Sequence, residues 1–174
     1  MCQPSSLFLR STKKPKTKVM VKIFTLFCFM CISAITSAQS VILKDTKYYS
    51  ENGELFSGQY FSYFENGSKK SSLSISDGMI NGAVTYFFAD GKIMETGNYS
   101  NNEKDGAWIR WDSEGNKTAE AFFVSGKKNG LWMVWDSKGI KRYEMTYVMG
   151  EKTGIWYMWD ENGKLIGEKN YGSI

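Results

Sequence analysis

The chain has 174 residues, 22 of them basic and 18 acidic, with no histidine and only two prolines. Its three cysteines (Cys2, Cys28 and Cys31) all precede residue 39, so the rest has no thiolate, imidazole or disulfide. That excludes zinc sites built on Cys or His, and Ser-His-Asp or Cys-His catalysis, from 39 onward.

Residues 1–38 carry Arg10, Lys13, Lys14, Lys16, Lys18 and Lys22 and no acidic residue, followed by the apolar run Ile23–Ile35 and a small-residue stretch ending at Ala38. A basic region, a short apolar region and small residues at the cut are the pattern of a secretory signal peptide. The 13-residue run is too short for a transmembrane helix, which needs roughly 20. The expectation is cleavage after Ala38 and a periplasmic or extracellular product with no stable membrane span. Translation can start at Met1 or at Met20, since Met20–Ala38 is by itself a complete leader. Phe27 and Met30, preceding Cys28 and Cys31, are not the small residues that lipid attachment wants. Removing the six leader cations leaves 16 basic against 18 acidic residues, a net charge of −2. The remaining chain has no basic cluster in sequence, which excludes nucleic-acid binding.

Residues 39–50 read as a linker or lead-in strand, and Glu51–Gly58 as a turn and short strand entering a repeat domain over 51–174. There "DGAWIRWDSEGNK" (105–117) recurs as "NGLWMVWDSKGIK" (129–141) and "TGIWYMWDENGKL" (153–165). Units open at Gly58, Gly82, Gly106, Gly130 and Gly154, 24 residues apart without insertion or deletion. A fixed period of this size means a repeat architecture. A second glycine column is Gly67, Gly91, Gly115, Gly139 and Gly163; a third is Gly78, Gly126 and Gly150, with Asn102 in the second unit. All three columns read as turns. Asn-Gly and Asp-Gly pairs at the second column favour the positive backbone angles of a tight hairpin, and the units link through Asn81-Gly82, Asp105-Gly106, Asn129-Gly130 and Thr153-Gly154. Each unit then holds two strands, and the whole about ten to eleven.

Tyr60, Val84, Trp108, Trp132 and Trp156 stand two residues after the opening glycines; Tyr63, Phe87, Trp111, Trp135 and Trp159 stand five after. In the second strand, Ala121 with Phe123 and Met145 with Tyr147 alternate with polar residues, as a half-buried strand does. Ile75, Tyr99, Phe123, Tyr147 and Tyr171 form one expected apolar ladder. Positions two and five have opposite parity, so either a bulge realigns them or both sheet faces carry aromatic rows.

These columns resemble the variant MORN (membrane occupation and recognition nexus) repeat of bacterial proteins: "G-x-W-x-x-Y/W", an "N-G" turn, a mixed strand with an acidic residue, an aromatic, and "G-K-x-x-G". Gly106–Gly130 and Gly130–Gly154 match throughout, and the resemblance runs from Asn52 to about Gly172. The unit at Gly58 departs most, with a serine-rich second strand and no tryptophan. The resemblance implies an all-β fold, an elongated twisted antiparallel β-meander of about five 24-residue hairpins. It implies a scaffold with no enzymatic activity and no cofactor. Some bacterial members carry an antitoxin label that rests on genomic association.

The row Trp108, Trp111, Trp132, Trp135, Trp156 and Trp159 is the candidate partner or ligand surface. The competing reading makes each tryptophan core, since burying an aromatic contributes about 1.5–3 kcal/mol in a thin sheet with little other apolar mass. The 23 aromatics after residue 38 are many for one face, and an exposed aromatic face marks an interaction site. The repeated "WD" does not make a propeller, whose blade needs roughly 40–45 residues. Asp112, Asp136 and Asp160 read as turn-initiating acceptors; equivalent environments give them no divided acid and base roles. The expected partner is another protein, alternatively an envelope glycan. A cell-wall or choline-binding repeat also strings glycine and aromatic units, with a shorter period.

Overall fold

The computed structural model describes residues 40–173. The expected signal peptide and its cleavage site lie outside the described residues. The chain divides into units 1–36 and 37–174, and all that follows belongs to the second.

Alternating side chains without proline give strands throughout. β1 (Val41–Lys44) and β2 (Lys47–Ser50) pair as a separate hairpin. The main sheet has eleven strands: β3 (Gly58–Tyr63), β4 (Lys69–Ser76), β5 (Met79–Phe87), β6 (Ile93–Ser100), β7 (Glu103–Trp111), β8 (Lys117–Val124), β9 (Lys127–Lys128), β10 (Gly130–Trp135), β11 (Lys141–Val148), β12 (Glu151–Trp159) and β13 (Leu165–Asn170). Every neighbouring pair is antiparallel and, apart from β8 with β10, sequential, and β3 and β13 are open edges, so the meander does not close. Short β9 pairs β8 and leads into β10; the two occupy the place of one long strand such as β7 or β12. The lead-in at 39–50 is therefore a hairpin of its own rather than a loose strand.

Two turn chemistries alternate. At the second glycine column only the glycine takes a positive φ, as at Gly67 (φ 81). Gly67 N–H donates to the Phe64 carbonyl, and Phe64 N–H to that of Ser68. This is a three-residue loop with a left-handed glycine, so the Asn-Gly pair does not form the two-residue turn expected of it. Two-residue turns with both angles positive occur at the third column: Asp77-Gly78, Asn101-Asn102, Ser125-Gly126 and Met149-Gly150.

The opening glycines are not turns, which corrects the sequence reading. Gly82, Gly106 and Gly154 lie inside β5, β7 and β12, and Gly58 and Gly130 begin β3 and β10. Their positive φ (73 at Gly106, 66 at Gly154) makes a bulge: between β6 and β7 the register jumps from Thr96↔Ile109 to Asn98↔Asp105. Gly106, Ala107 and Trp108 thereby oppose the single residue Gly97. At three of the five units the residue before the opening glycine accepts from the two-residue turn one hairpin along. Ser57 Oγ, Asp105 Oδ1 and Asn129 Oδ1 accept from the N–H of Asp77, Ser125 and Met149. Asp105-Gly106 and Asn129-Gly130 here combine a side-chain acceptor with a positive-φ glycine in or at the start of a strand, and the same dipeptides elsewhere make a turn.

Buried residues gather at the N-terminal end: Tyr48, Phe56, Leu73, Ile75, Val84 and Trp108. The β1–β2 hairpin covers this region. Tyr48 N–H donates to the Gly78 carbonyl, Phe56 N–H to that of Tyr48, and Gly78 N–H to that of Phe56. The Tyr48 ring sits 5.2 Å from that of Tyr60. The covered side is called the front face below.

Candidate aromatic interaction surface

Strand register decides where the six tryptophans go. Trp108 pairs with Ala121 and Trp132 with Met145, which puts them on the front face with Tyr99, Phe123, Tyr147 and Trp156. Their rings form an unbroken ladder: Tyr99–Trp108 5.1 Å, Trp108–Phe123 6.2 Å, Phe123–Trp132 5.0 Å, Trp132–Tyr147 5.4 Å, Tyr147–Trp156 5.0 Å and Trp156–Tyr171 4.7 Å. Most are tilted or edge-to-face, the arrangement aromatic quadrupoles prefer. The expected ladder is present from Tyr99 to Tyr171 with tryptophans interleaved, and Ile75 continues it at the buried end, in the cluster that holds Trp108 and against which Tyr99 and Phe123 pack.

Each front tryptophan is also pinned through its indole. Nε1 of Trp108, Trp132 and Trp156 donates to the carbonyls of Asn98, Phe122 and Thr146, at 3.2, 3.0 and 3.0 Å. All three acceptors stand ten residues upstream, so the bulge places one indole per unit against the preceding strand. Gly97 is a special seat: a Cβ there would lie 2.2 Å from the Trp108 ring. That missing side chain lets Trp108 fall to 2 % exposure, whereas Trp132 and Trp156 stay half-buried.

Trp111, Trp135 and Trp159 occupy the back face, three residues on and of opposite parity. A second bulge operates there, on the partner strand. Between Arg110↔Ala119 and Trp111↔Lys117 the residue Thr118 is extra, as are Lys70, Met94, Arg142 and Ile166 in the other hairpins. The extra residue reverses parity and swings the first residue of the second strand onto the back face. Lys117 Nζ accordingly sits 4.4 Å from the Trp135 ring and Lys141 Nζ 4.3 Å from that of Trp159. The bulges therefore do not merge the rows. Both faces carry one, and the six tryptophans form two surfaces of three.

Lysine columns cover both rows, but their charges are handled differently. On the back, Lys117 pairs with Glu120 at 2.8 Å and Lys141 with Glu144 at 2.6 Å. On the front, Lys104 lies 3.5 Å over Trp108 and pairs with Glu95 at 3.7 Å. Burial pushes the Lys104 ammonium below its ordinary pKa, and Glu95 offsets part of that. Lys128 stands 4.5 Å over Trp132, Lys152 4.8 Å over Trp156 and Lys169 4.9 Å over Tyr171, and no ion pair to these three occurs among the described residues. This column was visible in the sequence as Lys104, Lys128 and Lys152, each two residues before an opening glycine. Its position over the rings was not.

The five second-column glycines, Gly67, Gly91, Gly115, Gly139 and Gly163, all have positive φ and sit in the long-loop turns. Asp112 accepts the N–H groups of Glu114 and Asn116, and Asp136 and Asp160 repeat this with their own loops. The Asn116 N–H holds the Asp112 carboxyl below the usual range. These carboxylates belong to turns, one per loop. Among the described residues no group of three or more acidic or sulfur side chains could hold a metal ion.

A family model described as "MORN repeat variant" matches residues 80–101 and 152–172. The chain is similar to MORN repeat variants over these two segments. The first spans β5 and β6 with their turns, and the second spans β12 and β13. No curated protein matches the chain. Among solved structures, the crystal structure of the GtfA/B complex bound to UDP and GlcNAc aligns at 10 % identity, covering 76 % of this chain and 24 % of that one, with a TM-score of 0.26. The chain spans about a quarter of that relative's length, and a likeness at that score carries no argument.

Proposed function

We propose that this protein is an exported, non-enzymatic repeat scaffold that binds another protein through the front face of its C-terminal units. The carrying observation is an aromatic ladder that nothing in the described structure covers beyond the reach of the β1–β2 hairpin. From β10 to β13, Trp132, Trp156 and Tyr171 are half-buried, and Tyr143 and Met158 are 42 % and 38 % exposed. Tyr143, Met145, Trp156, Tyr157, Met158, Gly167, Glu168 and Lys169 line a shallow depression there. A contiguous aromatic patch of this kind is interface chemistry. Export rests on the basic and apolar pattern of residues 1–38, and the scaffold role on the repeat match.

The test is affinity capture from native envelope fractions with the wild-type protein and with Met158→Asp, which places a charge on the open face. A stoichiometric protein partner held by the wild type and lost in the variant supports the reading. Capture by both, or by neither, removes it. Saturable binding of cell-wall fragments without a protein partner favours the glycan reading instead.

A further inference from the structure

The front face of the open half has an unusual charge composition. From β8 to β13 register and alternation assign to it Ala119, Ala121, Phe123, Lys128, Trp132, Val134, Tyr143, Met145, Tyr147, Lys152, Trp156, Met158, Gly167, Lys169 and Tyr171. By strand register it contains lysines and no carboxylate; Glu168 borders the depression at β12 and β13 from the opposite parity, and Glu95 of β6, paired with Lys104, borders the surface at its β8 end. Glu120, Glu144 and Glu168 all fall on the back face, paired in register with Ile109, Met133 and Tyr157. The chain beyond residue 38 is net negative, yet this surface presents an uncompensated row of ammonium groups over aromatic rings.

The row has a pitch. Lys128 and Lys152 occupy equivalent places in successive units, two strands apart, which is roughly 10 Å across a sheet. A polyproline II chain rises about 3.1 Å per residue with three residues per turn, so it repeats every ~9 Å. An acidic residue at every third position of such a chain meets Lys128 and Lys152 on successive turns, and Lys169, one strand beyond Lys152 and over the same Tyr171 ring, adds a cation at the β13 end. Its apolar residues then fall between, on the ring edges and on Met145 and Met158. Aromatic-lined surfaces receive this conformation because it is extended and already ordered.

We infer that the open front face binds an extended acidic polypeptide segment, with a carboxylate at every third residue, running across β8 to β13. The inference rests on the scaffold reading above and adds the partner's chemistry. Sugars fit the same surface poorly. Hydroxyl recognition wants carboxylate or carboxamide acceptors beside the rings; by register this face has none, and the indole N–H groups of Trp132 and Trp156 are taken by backbone carbonyls. Each ring is also covered by its lysine, which leaves less of its flat face for stacking.

The experiment is fluorescence anisotropy of a labelled five-repeat Glu-Pro-Val peptide with the full chain at low salt. Saturable binding is expected, weakened roughly tenfold in Lys128→Gln/Lys152→Gln/Lys169→Gln, and weakened by added salt. The paired back-face variant Lys117→Gln/Lys141→Gln should stay within about twofold of wild type, because those lysines already have partners. Circular dichroism of each variant separates lost binding from lost fold. The inference is overturned if the same residues with all glutamates bunched at one end bind equally well, if a Lys-Pro-Val peptide or a linear polyuronate binds better, or if the front-face variant binds unchanged. Capture of a protein partner sensitive to Met158→Asp, with no peptide binding, sinks this inference alone. Loss of both sinks the scaffold reading with it.

Discussion

The first and last thirds of the sheet use the same 24-residue unit and reach different ends. At the N-terminal end, the β1–β2 hairpin covers the front face, small and branched side chains fill the columns, and Leu73, Ile75 and Val84 are almost fully buried. At the C-terminal end the same columns hold Trp132, Met145 and Trp156; among the described residues no strand lies over them, and Tyr147 is the only large apolar side chain below a tenth exposed from β10 onward. Where a second layer exists, the units spend their apolar columns on a core. Where it does not, larger rings pack sideways along the sheet and leave one surface open. The proposed partner binding falls in the open part for that reason.

Trp108 stands between the two regimes and offers the sharpest way to break the contrast. Trp108→Ala should cost about 3–5 kcal/mol in urea unfolding, as for a buried aromatic. Trp156→Ala should cost about half of that, and equal losses would mean the C-terminal ladder is core as well. Gly97→Ala should cost about 1–3 kcal/mol by overpacking against the Trp108 ring. In a Trp108→Ala background the same change should be nearly neutral, and additivity there would separate the two sites. Gly167→Ala should lie within about 0.5 kcal/mol of wild type, because its added Cβ meets only the flexible tip of Met158 at 3.3 Å.

Smaller effects sharpen the account of the turns. Met149 holds φ 46 at the first position of a two-residue turn whose counterparts are Asp77, Asn101 and Ser125. Met149→Asn should stabilise by about 0.5–1 kcal/mol, read from the thermal midpoint, because asparagine tolerates the left-handed region. Asp112→Ala should lower the midpoint least of all. Since the folded Asp112 carboxyl titrates below its unfolded value, its contribution is present above about pH 4 and fades as pH falls through the depressed folded value. A midpoint difference between wild type and variant that persists well below that pH would contradict this.

The repeat, its strands and the second and third glycine columns as turns were legible because each rests on local chemistry: period, alternation and left-handed φ. The opening glycines misled because a positive φ serves a bulge as well as a turn. Only the pairing of Gly106–Trp108 against Gly97 distinguishes them. The same limit applied to the tryptophans, where spacing gave opposite parity and named two possible outcomes. The strand register chose the one with a row on each face.

By itself, the sequence determined that this chain repeats a β-hairpin, because turn residues and alternation act within a few positions of where they stand. The tertiary structure decided which tryptophans share a face, which lysines keep free charge and which units are covered. Those properties depend on strand register and on the β1–β2 hairpin packing over strands that lie far from it in the chain.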